Sequence, residues 1–402
     1  MSESVKGNLK KTIIAGLNTS GDITDDEVLD AIDKRIGAYA SKNYLTVPAR
    51  LKLRKDIFNS IRRLDVLQDY LDDPDVTEIM VNGYDSIFAE KDGRIERVEV
   101  KFESEAGLED IIQRIAGSVN RTVNLAHPIV DARLEDGSRV NVVLAPVSLG
   151  GSAVTIRKFR RDIMSMDRLV ENESITEEAA DFLKLMVKGH YNQVCTGGTG
   201  SGKTTLLNVL AEYIPKNERV ITIEDSAELI LRGVPNLVRL EARNANVEGK
   251  NSISIRELIK TALRMRPDRI IVGETRGGEA IDMLQSLNTG HCGMSTLHAN
   301  SPEDMVSRLE TMVLLGENIP IAAVRAQIAS AIDIIIGVSR MRDSTRRVTS
   351  IYETDGVTDG VVNLHPLFIF KESGTEGGRI KGGLVKVGEL KKNEKLKEFG
   401  LL

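Results

Sequence analysis

The sequence is poor in cysteine and in aromatic residues. Its 402 residues include only Cys195 and Cys292, no tryptophan, and 4% aromatic residues in total. Two cysteines are too few for a disulfide framework or a four-cysteine zinc site, so we expect a reducing compartment. The scarcity of aromatic side chains also argues against a protein that stacks on single-stranded nucleic acid.

Long apolar runs and an excess of basic charge are lacking as well. No stretch approaches the roughly 18 to 20 apolar residues that a membrane span needs. The N-terminal segment MSESVKGNLKKTIIAGLN has no cleavage site of the A-x-A kind, which predicts no export signal. The formal net charge of −5 disfavours non-specific attraction to nucleic acid. We expect a soluble protein of two or three domains, because the chain is longer than one core usually organises.

The first part of the chain has two patterns of helical period. Thr24 and Glu27 match a capping box before the first pattern, and Pro48 precedes the second. These features predict an N-terminal helical bundle over residues 1–70. The pattern from Val76 onwards is instead one of short β-type runs broken by turn pairs, with one helix between them. This change predicts a smaller mixed α/β domain over residues 74–158.

The segment RKFRRD follows that domain and opens a predicted interdomain linker over residues 159–174, in which we interpret Arg160 and Arg161 as solvated. Ser174 and Glu177 match a second capping box, before a helix that should reach about Lys188. Strand and helix patterns then alternate, which predicts an α/β domain with a largely parallel sheet over residues 175–402. The tail from Lys371 is rich in Gly, Lys and Glu, and we expect partial disorder there.

The strongest chemical motif is GGTGSGKTT, which has the GxxxxGK[ST] spacing between a strand-like and a helix-like segment. Glycines let such a loop point its N–H groups at phosphate oxygens, and the helix that follows adds its positive end. Lys203 should bridge the β- and γ-phosphates of ATP, Thr204 should help hold Mg²⁺, and Thr205 should reach the α-phosphate. The predicted ATP-binding residues are Gly197, Gly198, Thr199, Gly200, Ser201, Gly202, Lys203, Thr204 and Thr205.

Acidic residues end two further apolar strand patterns. In RVITIEDSAELIL these are Glu224, Asp225 and Glu228, and in RIIVGE the acid is Glu274. Strand carboxyl ends are where parallel sheets bind ligands, and a carboxylate there can orient or deprotonate the attacking water. We predict that the first cluster is functional rather than a polar surface turn. Glu274 has a Walker B position, beside Mg²⁺ or its water, with Glu in place of the commoner Asp.

The segment TGHCGMSTLHAN places His291 and His298 seven residues apart. A zinc site is disfavoured because no third ligand stands at a helical or turn spacing. Imidazoles that sense phosphate are the preferred interpretation, and structural histidines are the alternative.

Taken in order, the segments GGTGSGKTT, TIEDSAEL, RPDRIIVGETRGGEA and TGHCGMSTLHANSPEDMVSRL resemble the secretion ATPase superfamily of type II and type IV systems. They match its Walker A, aspartate, Walker B and histidine boxes. Within the superfamily the resemblance is greatest to the CpaF-like ATPases of tight-adherence (Tad, or Flp) pilus assembly, and it covers about residues 50–350. The type II branch typically carries a four-cysteine zinc module, which this sequence lacks, and this favours the Tad or type IV side.

The resemblance implies a RecA-like P-loop NTPase domain behind a smaller PAS-like α/β domain, in a hexameric ring with ATP between the two domains. It assigns water activation to Glu228, the Walker B role to Glu274, and the histidine box to His291 and His298. It also implies that arginines of the N-terminal domain reach the γ-phosphate. The matching residues are Arg139 and Arg157, with Arg133 as a third candidate, and a strand-edge surface position is the alternative for them.

The same resemblance implies the partners. They would be further copies of this chain, the inner-membrane platform proteins of a pilus or secretion system, and pilin indirectly. It implies a cytoplasmic location with peripheral attachment at the inner membrane.

Two other functions remain open at this point. RecA-like rings also translocate nucleic acid, which would require a basic pore. A nucleotide-dependent scaffold would bind ATP with negligible hydrolysis, and the presence of Lys203, Glu228 and Glu274 together counts against it. We expect an ATP-hydrolysing motor and no nucleic-acid partner.

Overall fold

The computed structural model describes residues 3–17, 23–91, 93–119, 121–159, 164–243 and 252–402. The chain forms two compact units, Met1–Arg161 and Asp162–Leu402. Each unit contains helices and a sheet of its own, so the α/β class expected from the sequence is confirmed. Within the described ranges, every helix is too short or too polar to span a bilayer. The predicted linker residues Arg160 and Arg161 lie outside the described residues.

Three helices begin the first unit and bury one small apolar core. The predicted capping box is confirmed, because the Thr24 side chain accepts the Glu27 N–H while the Glu27 side chain accepts the Thr24 N–H. The core is formed by residues at helical spacing, among them Ile32, Ile36 and Ile57. The helices are α1 (Glu3–Gly16), α2 (Asp25–Ala40) and α3 (Val47–Arg62), followed by a 3₁₀ turn (Asp65–Leu67) and α4 (Gln68–Asp72).

The rest of the first unit is a six-stranded antiparallel sheet with one helix on it. The helix α5 (Glu105–Ser118) buries Leu108, Ile111, Ile112 and Ile115 against the sheet, as their spacing predicts. Alternate residues of β4, β5 and β6 face this core, and the intervening residues face away from it. The spatial order is β3-β2-β1-β6-β5-β4. The strands are β1 (Val76–Asn82), β2 (Ile87–Lys91), β3 (Arg94–Arg97), β4 (Ile129–Arg133), β5 (Arg139–Val143) and β6 (Ala153–Arg157).

The second unit is built on a nine-stranded sheet whose central part is parallel, as predicted. The spatial order is β15-β14-β13-β12-β7-β11-β10-β8-β9. The strands β12, β7, β11, β10, β8 and β9 are parallel to one another. The strands β13, β14 and β15 pair antiparallel with their neighbours. Apolar cores lie on both faces of this sheet. The strands are β7 (Gln193–Thr196), β8 (Arg219–Glu224), β9 (Asn236–Glu241), β10 (Arg269–Thr275), β11 (Cys292–Leu297), β12 (Ile334–Arg340), β13 (Arg346–Thr358), β14 (Val361–Glu376) and β15 (Arg379–Lys386).

Helices cover both faces of this sheet, and five of the described helices connect its parallel strands. The connecting helices are α8 (Lys203–Ala211), α9 (Ile255–Ala262), α10 (Ala280–Asn288), α11 (Pro302–Gly316) and α12 (Ile321–Ala331). The helices α6 (Met166–Glu171) and α7 (Glu177–Lys188) precede the sheet, and α13 (Glu394–Glu398) follows it. The helix α6 falls inside the stretch 159–174 that the sequence indicated as a linker. The predicted capping box at Ser174 is wrong, because α7 begins one residue after Thr176, which occupies the N-cap position without a side-chain hydrogen bond.

The expectation of disorder after Lys371 is also wrong. Residues of this stretch form the end of β14 and all of β15, at the edge of the sheet. Ile380 and Leu384 are buried, which gives the hairpin an apolar anchor. Gly382 has a packing reason, because a Cβ on it would lie 2.3 Å from the carbonyl oxygen of Lys371 on the neighbouring strand. Gly377 and Gly378 instead have open space around them and φ angles of +55° and +79°, in the turn between β14 and β15.

Gly278 and Gly316 pack backbone against backbone. Gly278 follows β10 and Gly316 ends α11. A Cβ on Gly316 would lie 2.3 Å from the carbonyl oxygen of Gly278, and a Cβ on Gly278 would lie 2.8 Å from the Cα of Gly316. Neither position has room for a side chain, so this contact ties α11 to the segment just beyond Glu274.

We expect Gly316→Ala to lower the free energy of unfolding by about 1–3 kcal/mol, because the added methyl must push two backbones apart. Gly233→Ala is the matched control in the same unit. A Cβ there would meet only an ordinary contact, 3.7 Å from the carbonyl oxygen of Glu212, so we expect a change within about 0.5 kcal/mol. Urea denaturation of the two variants measures both changes, and equal midpoints would contradict a tight contact at Gly316.

Candidate nucleotide-binding and catalytic site

The loop that follows β7 turns sharply into α8. Gly197 is buried, and a Cβ on it would lie 2.0 Å from the carbonyl oxygen of Val338 on β12. Gly200 and Gly202 have φ angles of +70° and +102°, in the left-handed region that favours glycine. Gly202 is the N-cap of α8, so the first backbone N–H groups of this helix open towards the loop. The geometry is that of a phosphate-binding loop.

Lys203 is 7% exposed and lies against this loop. Its Nζ donates hydrogen bonds to the carbonyl oxygens of Gly197 (3.0 Å) and Gly198 (2.9 Å) and to Nδ1 of His298 (3.3 Å). Thr204 and Thr205 follow on the first turn of α8, the former half-buried and the latter exposed. The buried hydroxyl of Ser201 has no hydrogen-bond partner among the described residues. These polar groups suit a phosphate ligand.

Two basic side chains flank the carboxylate of Glu274. Its Oε1 lies 3.0 Å from Nε2 of His298, and its Oε2 lies 2.8 Å from Nη2 of Arg276. Burial alone would raise the pKa of Glu274, but Arg276, His298 and Lys203 outweigh it and hold that pKa below its ordinary value. The carboxylate is therefore ionised at neutral pH. Arg276 also lies 3.8 Å from Oδ2 of Asp225.

His298 links Lys203 to Glu274. Burial lowers the pKa of His298, and the charge of Lys203 lowers it further, so the imidazole is neutral at pH 7. Its Nδ1 accepts from Lys203, and its Nε2 lies 3.0 Å from Oε1 of Glu274. His298 therefore lies between the lysine of the phosphate-binding loop and the carboxylate of Glu274.

The acids at the end of β8 differ in environment. Glu224 is 3% exposed, and its Oε1 accepts the backbone N–H groups of Glu228 and Leu229, both at 2.8 Å. Its Oε2 is buried with no hydrogen-bond partner among the described residues. Burial raises the pKa of Glu224 to about 7. Asp225 is exposed and Glu228 is half-buried, so these two carboxylates are the ones accessible to solvent.

The parallel sheet brings these residues to one edge. Lys203 follows β7, His298 follows β11, Glu274 lies near the end of β10, and Glu228 follows β8. These four strands are neighbours in the order β7-β11-β10-β8, and their carboxyl ends point the same way.

His291, the other residue of the predicted histidine box, lies at the opposite end of β11 from His298. His291 directly precedes β11 and lies 3.2 Å from Oγ1 of Thr289, whereas His298 directly follows β11. At a strand rise of about 3.3 Å per residue, the two are separated by about 20 Å, because the whole strand runs between them.

Arg133, Arg139 and Arg157 form one row in the first unit. Arg139 is directly opposite Arg133 on β4 and directly opposite Arg157 on β6, so all three lie on the face turned away from α5. Arg139 is 3.9 Å from Oδ1 of Asp131, and Nε of Arg133 donates to the carbonyl oxygen of Gly137. Arg157 is also directly opposite Glu78 on β1, so carboxylates accompany the row on the same face.

The sequence reasoning missed Arg276 and Arg346. Arg276 follows the Walker B acid by two residues, and its sequence position beside Glu274 was a usable signal. Arg346 begins β13, yet its Nε donates to the carbonyl oxygen of Gly200 at 2.8 Å, and its side chain covers Gly202. No motif could have indicated this contact, because 146 residues separate the partners.

Comparisons with known proteins identify the family of this chain. The family model described as type II/IV secretion system protein matches residues 62–387. A putative conjugal transfer protein of Mycobacterium tuberculosis is 36% identical over 293 residues, which cover 71% of this chain and 83% of that protein. The type IV secretion system protein PtlH of Bordetella pertussis is 34% identical over 322 residues, which cover 73% of this chain and 95% of PtlH.

A solved structure shares the fold. The Legionella pneumophila ATPase DotB matches with a TM-score of 0.53 at 21% identity, over 72% of this chain and 80% of the DotB chain.

We expect Arg346→Ala to weaken ATP binding about three- to tenfold, because the loop loses the side chain that holds Gly200 and covers Gly202. Arg342→Ala is the control on the same hairpin, since Arg342 pairs with Glu372 away from the loop, and its affinity should stay unchanged. Titration with a fluorescent ATP analogue measures both. Equal affinities of the two variants would contradict a role of Arg346 in the loop.

The raised pKa of Glu224 predicts a pH dependence of stability. Its pKa is raised from 4.5 to about 7 in the folded protein, so its contribution is complete below pH 4.5 and is lost as the pH rises through 7. Arg239 and Glu228 are the charged groups that act on it, in opposite directions. The difference between the urea midpoint of the wild type and that of Glu224→Gln should decrease as the pH rises from about 4.5 to 7. Above pH 7 this difference should stay constant. A constant difference would mean that Glu224 titrates normally.

Proposed function

The chain belongs to the family of type II/IV secretion system proteins, and on this premise we propose that it is an ATP-hydrolysing motor of a secretion or pilus-assembly system. The observation that carries the proposal is the meeting of a glycine-rich phosphate loop, Lys203, an ionised Glu274 and the accessible Glu228 at one edge of a parallel sheet. A scaffold that only binds nucleotide needs no such set of carboxylates.

ATP would bind with its phosphates in the loop 197–202. Lys203 would exchange its contacts with the loop carbonyls for the β- and γ-phosphates, while Thr205 would reach the α-phosphate. No group of three or more His, Cys, Asp or Glu side chains that could cage a metal occurs in the part of the chain that the structure describes. This fits Mg²⁺, which usually takes one or two protein ligands beside phosphates and waters. Thr204 and Glu274 would hold it, and it would neutralise phosphate charge.

Hydrolysis would use Glu228 as the base. The water oxygen attacks the γ-phosphorus, the bond to the bridging β–γ oxygen breaks, and Glu228 takes the proton of the water. Asp225 and Arg276 would lie close to Glu228. Neutral His298 lies between Glu274 and Lys203 and would keep these two side chains in place. The structure separates His291 from these groups, so we propose no role for it in this unit's site.

We also propose that the row of Arg133, Arg139 and Arg157 supplies cations to the phosphates. Charge spreads over the phosphoryl oxygens in the transition state, and guanidinium groups stabilise it. Because these arginines belong to the first unit, the phosphates of ATP would have all their cationic contacts only when that unit supplies them. Movement of the first unit on binding and release would then convert the chemical cycle into mechanical work.

The finer assignment rests on the motif resemblance stated above. We propose that the second unit is a RecA-like motor and the first contains a PAS-like domain, and that the chain assembles as a hexamer. Its partners would be the inner-membrane platform proteins of a Tad-type pilus system, with a cytoplasmic location at that membrane. Two of the relatives support a secretion or transfer role by their names, a type IV secretion system protein and a conjugal transfer protein.

The test is phosphate release by the purified protein, beside Lys203→Ala, Glu228→Gln and the exposed control Glu178→Gln on α7. We expect Lys203→Ala to lose ATP binding and turnover, because the loop charge is gone. Glu228→Gln should keep ATP binding within about threefold and lose turnover by at least a hundredfold, because the amide is no base. Glu178→Gln should match the wild type.

Two results would overturn the proposal. If the wild type binds ATP as an oligomer and releases phosphate no faster than Lys203→Ala, the protein is a nucleotide-dependent scaffold. If turnover requires added DNA, it is a nucleic-acid motor.

A further inference from the structure

The segment after β8 is irregular, yet its backbone is held firmly by side chains. Residues 225–235 form neither helix nor strand. Four successive N–H groups in this segment, those of residues 227–230, are accepted by side-chain oxygens. Ala227 N–H donates to Oε1 of Glu241 (3.2 Å), Glu228 N–H and Leu229 N–H donate to Oε1 of Glu224 (2.8 Å each), and Ile230 N–H donates to Oδ1 of Asn208 (2.9 Å).

The three acceptors come from three different elements. Glu241 ends β9, Glu224 ends β8, and Asn208 lies on α8, the helix that begins with Lys203. Ala227, Leu229 and Leu231 are buried. Glu228 therefore lies between two buried neighbours, in a stretch where the N–H groups of residues 227–230 all have acceptors, and this restricts the direction of its side chain.

Glu224 serves this segment as a hydrogen-bond acceptor. Its Oε1 takes two N–H groups, while its Oε2 is buried without a hydrogen-bond partner among the described residues. Burial raises the pKa of Glu224 to about 7 although the two N–H groups lower it, so the neutral and the ionised carboxyl are both populated near pH 7. Gly273 makes the room, because a Cβ on it would lie 2.8 Å from Cγ of Glu224.

We infer that Glu224, Glu241 and Asn208 form a cradle that positions Glu228 for hydrolysis, and that Glu224 is its principal positioning residue. The inference rests on the proposed function for the role of Glu228. Through Asn208, the cradle also joins the helix of the phosphate loop to the segment that carries the base. A neutral acceptor at position 224 is sufficient, so glutamine should replace Glu224, whereas alanine should not.

The first experiment compares kcat and KM for ATP in Glu224→Ala, Glu224→Gln, Asn208→Ala and Glu241→Ala. We expect Glu224→Ala to lose kcat at least tenfold with KM within threefold, because the base is displaced while the phosphate loop is intact. Glu224→Gln should retain kcat within threefold. Asn208→Ala and Glu241→Ala each free one N–H group and should lower kcat by a smaller factor, again without a change in KM.

The matched control is Glu353→Ala. Glu353 is 1% exposed and accepts two backbone N–H groups, those of Lys391 and Lys392, far from the cradle in sequence and on a different strand. Its loss should reduce Tm in the same way as Glu224→Ala and leave kcat unchanged. This comparison separates positioning from general destabilisation. If Glu224→Ala does not fold, the single-bond variants Asn208→Ala and Glu241→Ala decide the matter.

Amide hydrogen exchange tests the cradle independently of turnover. Exchange at residues 227–230 should accelerate in Glu224→Ala and stay slow in Glu353→Ala and Glu224→Gln. Suppose that the wild type hydrolyses ATP. If Glu224→Ala then has a normal kcat, or if Glu224→Ala and Glu224→Gln lose kcat equally, the cradle is contradicted and the proposed function remains. Absence of turnover in the wild type would remove the proposed function, and unchanged exchange in Glu224→Ala would then also remove the cradle.

Discussion

The buried ammonium of Lys203 is the charge to which the candidate site is adapted. An unpaired charge at this depth would be very costly, so it must be offset by dipoles and partners. The carbonyl oxygens of Gly197 and Gly198 and the Nδ1 of His298 offset it here. Burial lowers the pKa of His298, the charge of Lys203 lowers it further, and the imidazole lies 3.0 Å from Oε1 of Glu274. Phosphates can replace the carbonyl contacts because they offer the same acceptor chemistry with more negative charge.

The carboxylates of the site fall into two groups with different tasks. Glu274 is stabilised as an anion by Arg276, His298 and Lys203, which outweigh its burial. Glu224 is more deeply buried, and its burial outweighs the lowering effects of Arg239 and of its two N–H partners, so its pKa rises. Two acids on neighbouring strands thus differ in protonation because their surroundings differ. This separation lets one carboxyl interact with cations while the other accepts backbone N–H groups and keeps the segment of Glu228 in place.

The extent to which sequence predicted structure varies between elements for identifiable reasons. The capping box at Thr24 and the apolar spacing of α5 depend on residues three or four apart, and both are present as expected. The matching pattern at Ser174 failed because Thr176 is the N-cap of α7, while the backbone of Ser174 pairs with Leu169 and Val348. Gly-rich composition after Lys371 indicated disorder, yet Gly382 packs closely against Lys371 and other glycines form the turn of a β-hairpin. The spacing of His291 and His298 suggested a pair, but the two histidines lie at opposite ends of the strand β11.

The phosphate-loop motif, the order of the acidic and basic boxes, and the alternation of strands and helices are all readable from the amino-acid order. These features are local, because each depends on residues near one another in the chain. Which of these residues meet depends on how the strands are ordered and paired. The order β7-β11-β10-β8 joins Lys203, His298, Glu274 and Glu228, and the register of β4, β5 and β6 aligns three arginines. The contact of Arg346 with Gly200 and the cradle around Glu228 arise from strand pairing and packing between distant segments, which no local pattern encodes.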